Sequence, residues 1–321
     1  MTGDSALSRY LDLAAAFDEK RSWFESASIH QYAALLVIDT PGDARTLARD
    51  CAARADELRR ASGWFDALRS SIRYPLGALL VRQRLDPERF CVEVDRARRA
   101  LRALRLRRSS GTEVSAALIM RIALGFQPTE REYRRLRDVY DRMKERHGWF
   151  TGTDDYPACA LFAVVDEPIP RSMRRVEAIY ERLVAAGIGR SNATQLTSHL
   201  LHFAAGDDTA VTDRFLTLRD RFQSEGVSIW RADHDELALL ANVDAPVLKI
   251  VDTVLRHRAA LRNLRPRPGA VLSFSLAANT AARELAGGTA EPIQTLQILL
   301  QVHELLRQHQ QSSGASVAAM H

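Results

Sequence analysis

Gly148-Trp149-Phe150-Thr151-Gly152-Thr153-Asp154-Asp155-Tyr156-Pro157-Ala158-Cys159-Ala160-Leu161-Phe162 is the stretch that decides the fold, because both of its parts recur along the chain. An aromatic pair in a loop is followed by a turn that opens a helix of small residues and leucine. Trp23-Phe24 precedes Tyr32-Ala33-Ala34-Leu35-Leu36, and Trp64-Phe65 precedes Tyr74-Pro75-Leu76-Gly77-Ala78-Leu79-Leu80. A more worn copy runs from Trp230 to Leu237-Ala238-Leu239-Leu240. All four tryptophans stand just upstream of such a helix. Internal duplication is the economical reading.

Aligned on the leucine of this helix, the copies fall at Leu35, Leu79, Leu118, Leu161, Leu200, Leu239 and Ala277, separated by 44, 39, 43, 39, 39 and 38 residues. That is the period of a two-helix repeat. Each short first helix is followed by a longer, charged second helix, expected over 44–60, 87–105, 129–146, 170–185, 209–223, 246–261 and 292–308. Pro87, Pro170, Pro246 and Pro292 stand near four of these starts, where a missing N–H is harmless. An amphipathic helix with Leu7, Tyr10, Leu11, Ala14 and Phe17 on one face precedes the array. The expected fold is therefore all-α: about seven α-α helical hairpins stacked as an α-solenoid or curved superhelix. Its parts are a capping helix in 1–28, a single repeat domain over 29–309 and a disordered tail over 310–321. Because one hairpin cannot bury a face alone, its neighbours must supply the core. Small residues such as Ala33, Gly77, Ala117, Cys159 and Ala278 let the helices approach closely.

Composition agrees with this class. The 321 residues are 46% hydrophobic and 26% charged, with only 11 prolines and 16 glycines, and alanine, leucine and arginine favour helix. No apolar run is long enough to span a membrane and no secretory leader opens the chain, so the expected location is the cytoplasm. Cys51, Cys91 and Cys159 are odd in number and far apart, which argues against a disulfide framework or a zinc site. Between Cys91 and Ser110 seven arginines stand against Glu93 and Asp95, a local excess equal to the whole formal net charge of +5. With no interleaved aromatics, this run reads as a solvated outer face with Val92, Leu101 and Leu104 turned inward. Nucleic acid is set aside as a partner.

Candidate chemistry is confined to a few places. Asp154 and Asp155, beside Tyr156, are adjacent oxygen donors of the kind that hold Mg²⁺. In the repeat register Asp155 aligns with Asp233 and Tyr156 with His234, bringing in Asp235 and Glu236, while Arg73 takes the same place in an earlier copy. The competing account is helix capping: Asp233 to Glu236 has the spacing of a capping box, and Asp207-Asp208 opens a second helix. His199 and His202 share a helix face but lack a third ligand. Trp149 and Trp230 are candidates to line a ligand groove, against the alternative that each plugs the seam between hairpins.

Phe150-Thr-Gly-Thr-Asp-Asp-Tyr-Pro157, followed by the alanine-leucine helix, resembles the turn found in a family of uncharacterised bacterial all-helical proteins, a domain of unknown function. The resemblance implies a similar fold over most of the chain and no assigned activity. Two functions remain in view. The first is a helical-repeat binding protein that holds a protein or peptide on a face lined by first helices, without a cofactor. The second is an all-α, Mg²⁺-dependent enzyme acting on a phosphorylated or diphosphate substrate through an acidic edge.

Overall fold

A computed structural model describes residues 4–21, 25–63, 67–70, 72–147 and 151–286. Among the described residues the regular elements are fourteen α-helices and three single-turn 3-10 segments, with no strand. After α1 (Asp4–Lys20) they come in pairs: α2 (Ala27–Leu36) with α3 (Ala44–Ala61), α4 (Arg73–Gln83) with α5 (Pro87–Ala103), α6 (Ser110–Leu124) with α7 (Glu130–His147). The series continues with α8 (Tyr156–Val164) and α9 (Ile169–Ala185), α10 (Asn192–Leu201) and α11 (Asp208–Ser224), α12 (His234–Ala241) and α13 (Val247–Leu261), and ends on α14 (Ala270–Ala286). Every described second helix matches its expected range within two residues at either end. The expected helix over 292–308, the tail over 310–321, and Trp23, Trp64 and Trp149 lie outside the described residues.

Helix boundaries follow from local chemistry. The carboxylates of Asp43, Asp86 and Asp207 accept the backbone N–H groups of Thr46, Arg89 and Ala210 at 2.9, 2.9 and 2.8 Å, capping α3, α5 and α11. Three second helices stop alike. Arg105, Gly187 and Gly226 take a left-handed conformation, and the next residue's N–H reaches back, Leu106 to Leu101, Ile188 to Leu183 and Val227 to Phe222. Leu106, Ile188 and Val227 are buried there, the apolar contact that accompanies this type of helix end.

The first helices are enclosed on all sides. All seven aligned positions, from Leu35 to Ala277, are at most 4% exposed. Residues 29–38, 156–163, 194–202 and 236–241 are buried without a break. A helix covered round its whole circumference is core. These side chains do not line the open groove expected of them, and the accessible surface belongs to second helices and loops.

The chain falls into two compact units, one holding residues 9–137 and 153–164, the other residues 4–8, 138–152 and 165–286. In the first, α2 packs on α4, α4 on α3, α3 on α5, α5 on α6 and α6 on α8. Gly77 makes the α3–α4 contact possible, since a Cβ there would lie 2.6 Å from the Cys51 carbonyl oxygen and 2.9 Å from the Ala55 nitrogen. In the second unit, first helices α10, α12 and α14 pack in sequence, and second helices α9, α11 and α13 do likewise.

Arginines tie successive elements together. Arg135 on α7 donates to the Ala163 carbonyl at 2.8 Å, and Arg175 on α9 to those of Ala204 and Gly206 at 2.9 and 2.8 Å. Arg214 on α11 reaches three carbonyls, Ala241, Val243 and Ala245, at 3.0, 2.7 and 2.7 Å. Arg9 on α1 does the same at Thr40 and Gly42. In each case a guanidinium reaches carbonyls at or just beyond the end of the following first helix, where the helix itself supplies no further donor. These arginines face inward, a departure from the expected wholly solvated second helices. The arginine-rich α5 differs too: Phe90, Val94, Ala97 and Leu101 form its buried stripe, whereas Val92 is 58% exposed and Leu104 half-buried. Glu93 shares the buried side because Arg121 lies 3.2 Å from its carboxylate.

Candidate functional site

Five residues before the aligned leucine, near the N-terminal end of each first helix, stand His30, Tyr74, Glu113, Tyr156, Gln195 and His234. All are buried except the half-buried Tyr74. A polar side chain at one register position of a buried helix needs a partner in each copy. The copies differ in how far that need is met, and this separates scaffold from candidate site.

In the first unit it is met to the extent that each of the four has a partner, although His30 Nδ1 and one Glu113 carboxylate oxygen are left without one. Glu25 collects three donors: His30 Nε2 at 3.1 Å, Arg73 Nη2 at 3.4 Å and the Tyr74 hydroxyl. Arg73 also donates to the Tyr74 oxygen at 2.8 Å and stacks over its ring. Burial, then the bond to Glu25, pushes the Tyr74 hydroxyl up to about 12. Arg73 thus holds a structural network together. Arg98 lies 3.6 Å from Glu113, and the Tyr156 hydroxyl donates to the Arg107 carbonyl at 3.0 Å. Asp154 and Asp155 form the 3-10 turn Thr153–Asp155 that leads into α8, Asp154 exposed and Asp155 half-buried.

In the second unit it is not met. Gln195, 2% exposed, has no hydrogen-bond partner for either amide atom, and neither does Nδ1 of His234. Beside them the 3-10 turn Arg231–Asp233 repeats the geometry of Thr153–Asp155, so the register that pairs Asp155 with Asp233 and Tyr156 with His234 is the structural one. The side chain of Asp233 does not cap α12; it closes a box on the 3-10 turn, three residues earlier than its spacing to Glu236 suggested. The Trp230 N–H donates to Asp233 Oδ2 at 2.7 Å. Asp235 is half-buried and Glu236 buried. Trp230 itself is 62% exposed, at the mouth of a hollow of about 360 Å³ lined by Gln223, Gly226, Val227, Ser228 and Ile229. At that exposure it does not plug a seam, whereas Val227, which follows the helix stop at Gly226, is buried.

His234 packs edge-on against Phe215, and its imidazole is pulled down to about 4 by burial, then by the charges of Arg219 and Arg231. His30, His202 and His257 are also lowered by burial, opposed by Glu25, Glu167 and Glu284. His202 has Glu167 for a partner at 3.2 Å, and the Ser172 hydroxyl donates to the same oxygen at 2.5 Å. Both donors converge on the carboxylate, so this is not the serine–histidine chain of a nucleophilic site. Among the described residues no group of three or more histidine, cysteine or acidic side chains is placed to hold a metal ion.

A folded-state value below the unfolded one means that the unfolded chain binds the proton first, so stability falls as pH drops from about 6.5 toward 4. For His234 the loss between pH 7.5 and pH 5 is about 2 kcal/mol. Urea titrations of wild type and His234→Gln at both pH values check it. The variant should lose less stability on acidification by about that amount. Equal losses would show that His234 is not held neutral.

One family description, protein of unknown function (DUF4003), matches residues 19–302. No curated protein and no solved structure matches the chain.

Proposed function

We propose that this chain, which belongs to the DUF4003 family, is a helical-repeat binding protein. Its hairpins stack as an α-solenoid, and it holds a protein or peptide along the edge where second helices hand over to first helices. The stacking is supported by the ordered rows α10–α12–α14 and α9–α11–α13 and by the arginine ties between successive pairs. The partner is supported by one observation above others, the exposed Trp230 on a rigid turn beside a hollow. Tryptophan is the side chain most enriched among residues that dominate binding energy, and an exposed one flanked by a concavity is a ready anchor. No helix among the described residues is long and apolar enough to cross a membrane.

The test separates anchoring from folding. Trp230→Ala should leave the melting temperature within about 1 °C, since an exposed side chain contributes little to the core. A photo-crosslinking phenylalanine analogue at position 230, used in the source cells, should give a discrete heavier adduct. The same analogue at Leu248, 57% exposed on a second helix, should give none. Indistinguishable adduct patterns at the two positions would remove the proposal.

A further inference from the structure

Between residues 256 and 267 the chain carries five arginines and no acid: Arg256, Arg258, Arg262, Arg265 and Arg267. The structure sorts them. Arg256 is held by Glu284 at 2.5 Å, and Arg265 donates to the Leu264 carbonyl at 3.2 Å. The other three line one cavity of about 410 Å³, with Leu261, Pro268, Gly269, Ala270 and Ser273 completing its wall. No carboxylate lines it, and among the described residues none of the three guanidiniums has a carboxylate within ion-pair distance. Like charges set round a hollow repel unless an anion enters. Arg258 already registers this: its proton is held less tightly than usual because of burial and then the charge of Arg262, offset in part by Asp233.

The wall adds donors of a second kind. Ala270, Val271 and Leu272 occupy the first turn of the 17-residue α14, where backbone N–H groups have no intrahelical acceptor. Gly269 has no side chain to cap them, and the Ser273 hydroxyl lies in the wall. The positive end of the helix dipole falls at the same place.

We propose that this cavity binds the phosphoryl group of a small phosphorylated molecule, with Arg258, Arg262 and Arg267 as its cationic clamp and the first turn of α14 as its backbone cradle. Three planar forks suit a tetrahedral dianion better than a single carboxylate, because each offers paired N–H groups to a different pair of oxygens. The volume is that of a small-molecule site. The wall holds no aromatic side chain on which the bases of a nucleic-acid strand would stack. The site is separate from the Trp230 hollow, and neither proposal depends on the other.

The test is calorimetric titration of the full chain at constant ionic strength with three probes: inorganic phosphate, phosphoserine and vesicles containing phosphatidic acid. Phosphate and phosphoserine should bind at millimolar affinity or better. Arg262→Gln/Arg267→Gln, which changes two exposed side chains and should keep the wild-type melting temperature, should weaken both about tenfold or more. Arg105→Gln/Arg107→Gln, an exposed pair on another loop, should bind as wild type does. Equal affinity in both double variants, binding to vesicles alone, or no heat with either soluble probe would each overturn the proposal.

Discussion

Gly77→Ala is expected to destabilise the protein by about 2–3 kcal/mol, the cost of forcing one methyl group into a backbone contact. In a freely solvated helix the same change would have the opposite sign, because alanine is favoured over glycine by roughly 0.5–1 kcal/mol. The sign is therefore diagnostic. The added Cβ would sit 2.6 Å from the Cys51 oxygen and 2.9 Å from the Ala55 nitrogen, both main-chain atoms of α3 that cannot swing aside as a side chain would. Relief requires α3 and α4 to separate, and their buried neighbours Ala55, Leu58, Ala78 and Leu79 would lose contact together. Urea denaturation of the two proteins measures the difference. A variant as stable as wild type, or more so, would show that the two helices do not approach as described.

Arg214→Ala should cost about 2–3 kcal/mol, from loss of three charge-assisted hydrogen bonds to carbonyls at and just beyond the end of α12. Arg214→Lys should recover only part of this. A lysine ammonium is a single point of charge, whereas the guanidinium fork reaches Ala241 through Nε and both Val243 and Ala245 through Nη2. Arg221→Ala is the control. Its ion pair with Glu225 is 2.9 Å long but exposed, and such pairs contribute at most about 0.5 kcal/mol. Similar losses at positions 214 and 221 in denaturant titrations would refute the distinction between a clamp and a surface pair.

Much of the helical pattern was legible because its signals are local. Asp43, Asp86 and Asp207 announce helix starts within three residues of the bonds they accept, and the small residue at position 77 announces a close approach without naming what approaches. The register that equated Asp155 with Asp233 also held, since each ends a 3-10 turn before a first helix. What was illegible is non-local. Nothing in the surroundings of Arg135, Arg175 or Arg214 marks it off from solvated arginines on the same helices, because its acceptors lie 27 to 31 residues downstream. Val92 and Val94 are two places apart and equally apolar. Val94 turns inward because it shares the face of Phe90, Ala97 and Leu101, and the ion pair with Arg121 lets Glu93 be buried beside it. Val227 and Trp230 are three places apart and both apolar, yet the first is buried and the second 62% exposed. Arg258 fell within the helix expected over 246–261, and nothing local set it, Arg262 or Arg267 apart from solvated arginines. That these three line one hollow becomes visible only once the end of α13 and the start of α14 share one wall.

The arginine ties also have a direction in time. Arg9, Arg135, Arg175 and Arg214 all precede, along the chain, the carbonyls they satisfy. On a ribosome, which releases the chain from its N-terminal end, each of these first helices therefore emerges to find one donor for its closing turn already made, although the Leu36 and Leu200 carbonyls wait for Arg82 and Asn242. A nascent chain halted after α12 and its closing turn would hold all of these donors together with their acceptors. One halted just after α11 would expose Arg214 with nothing to grip.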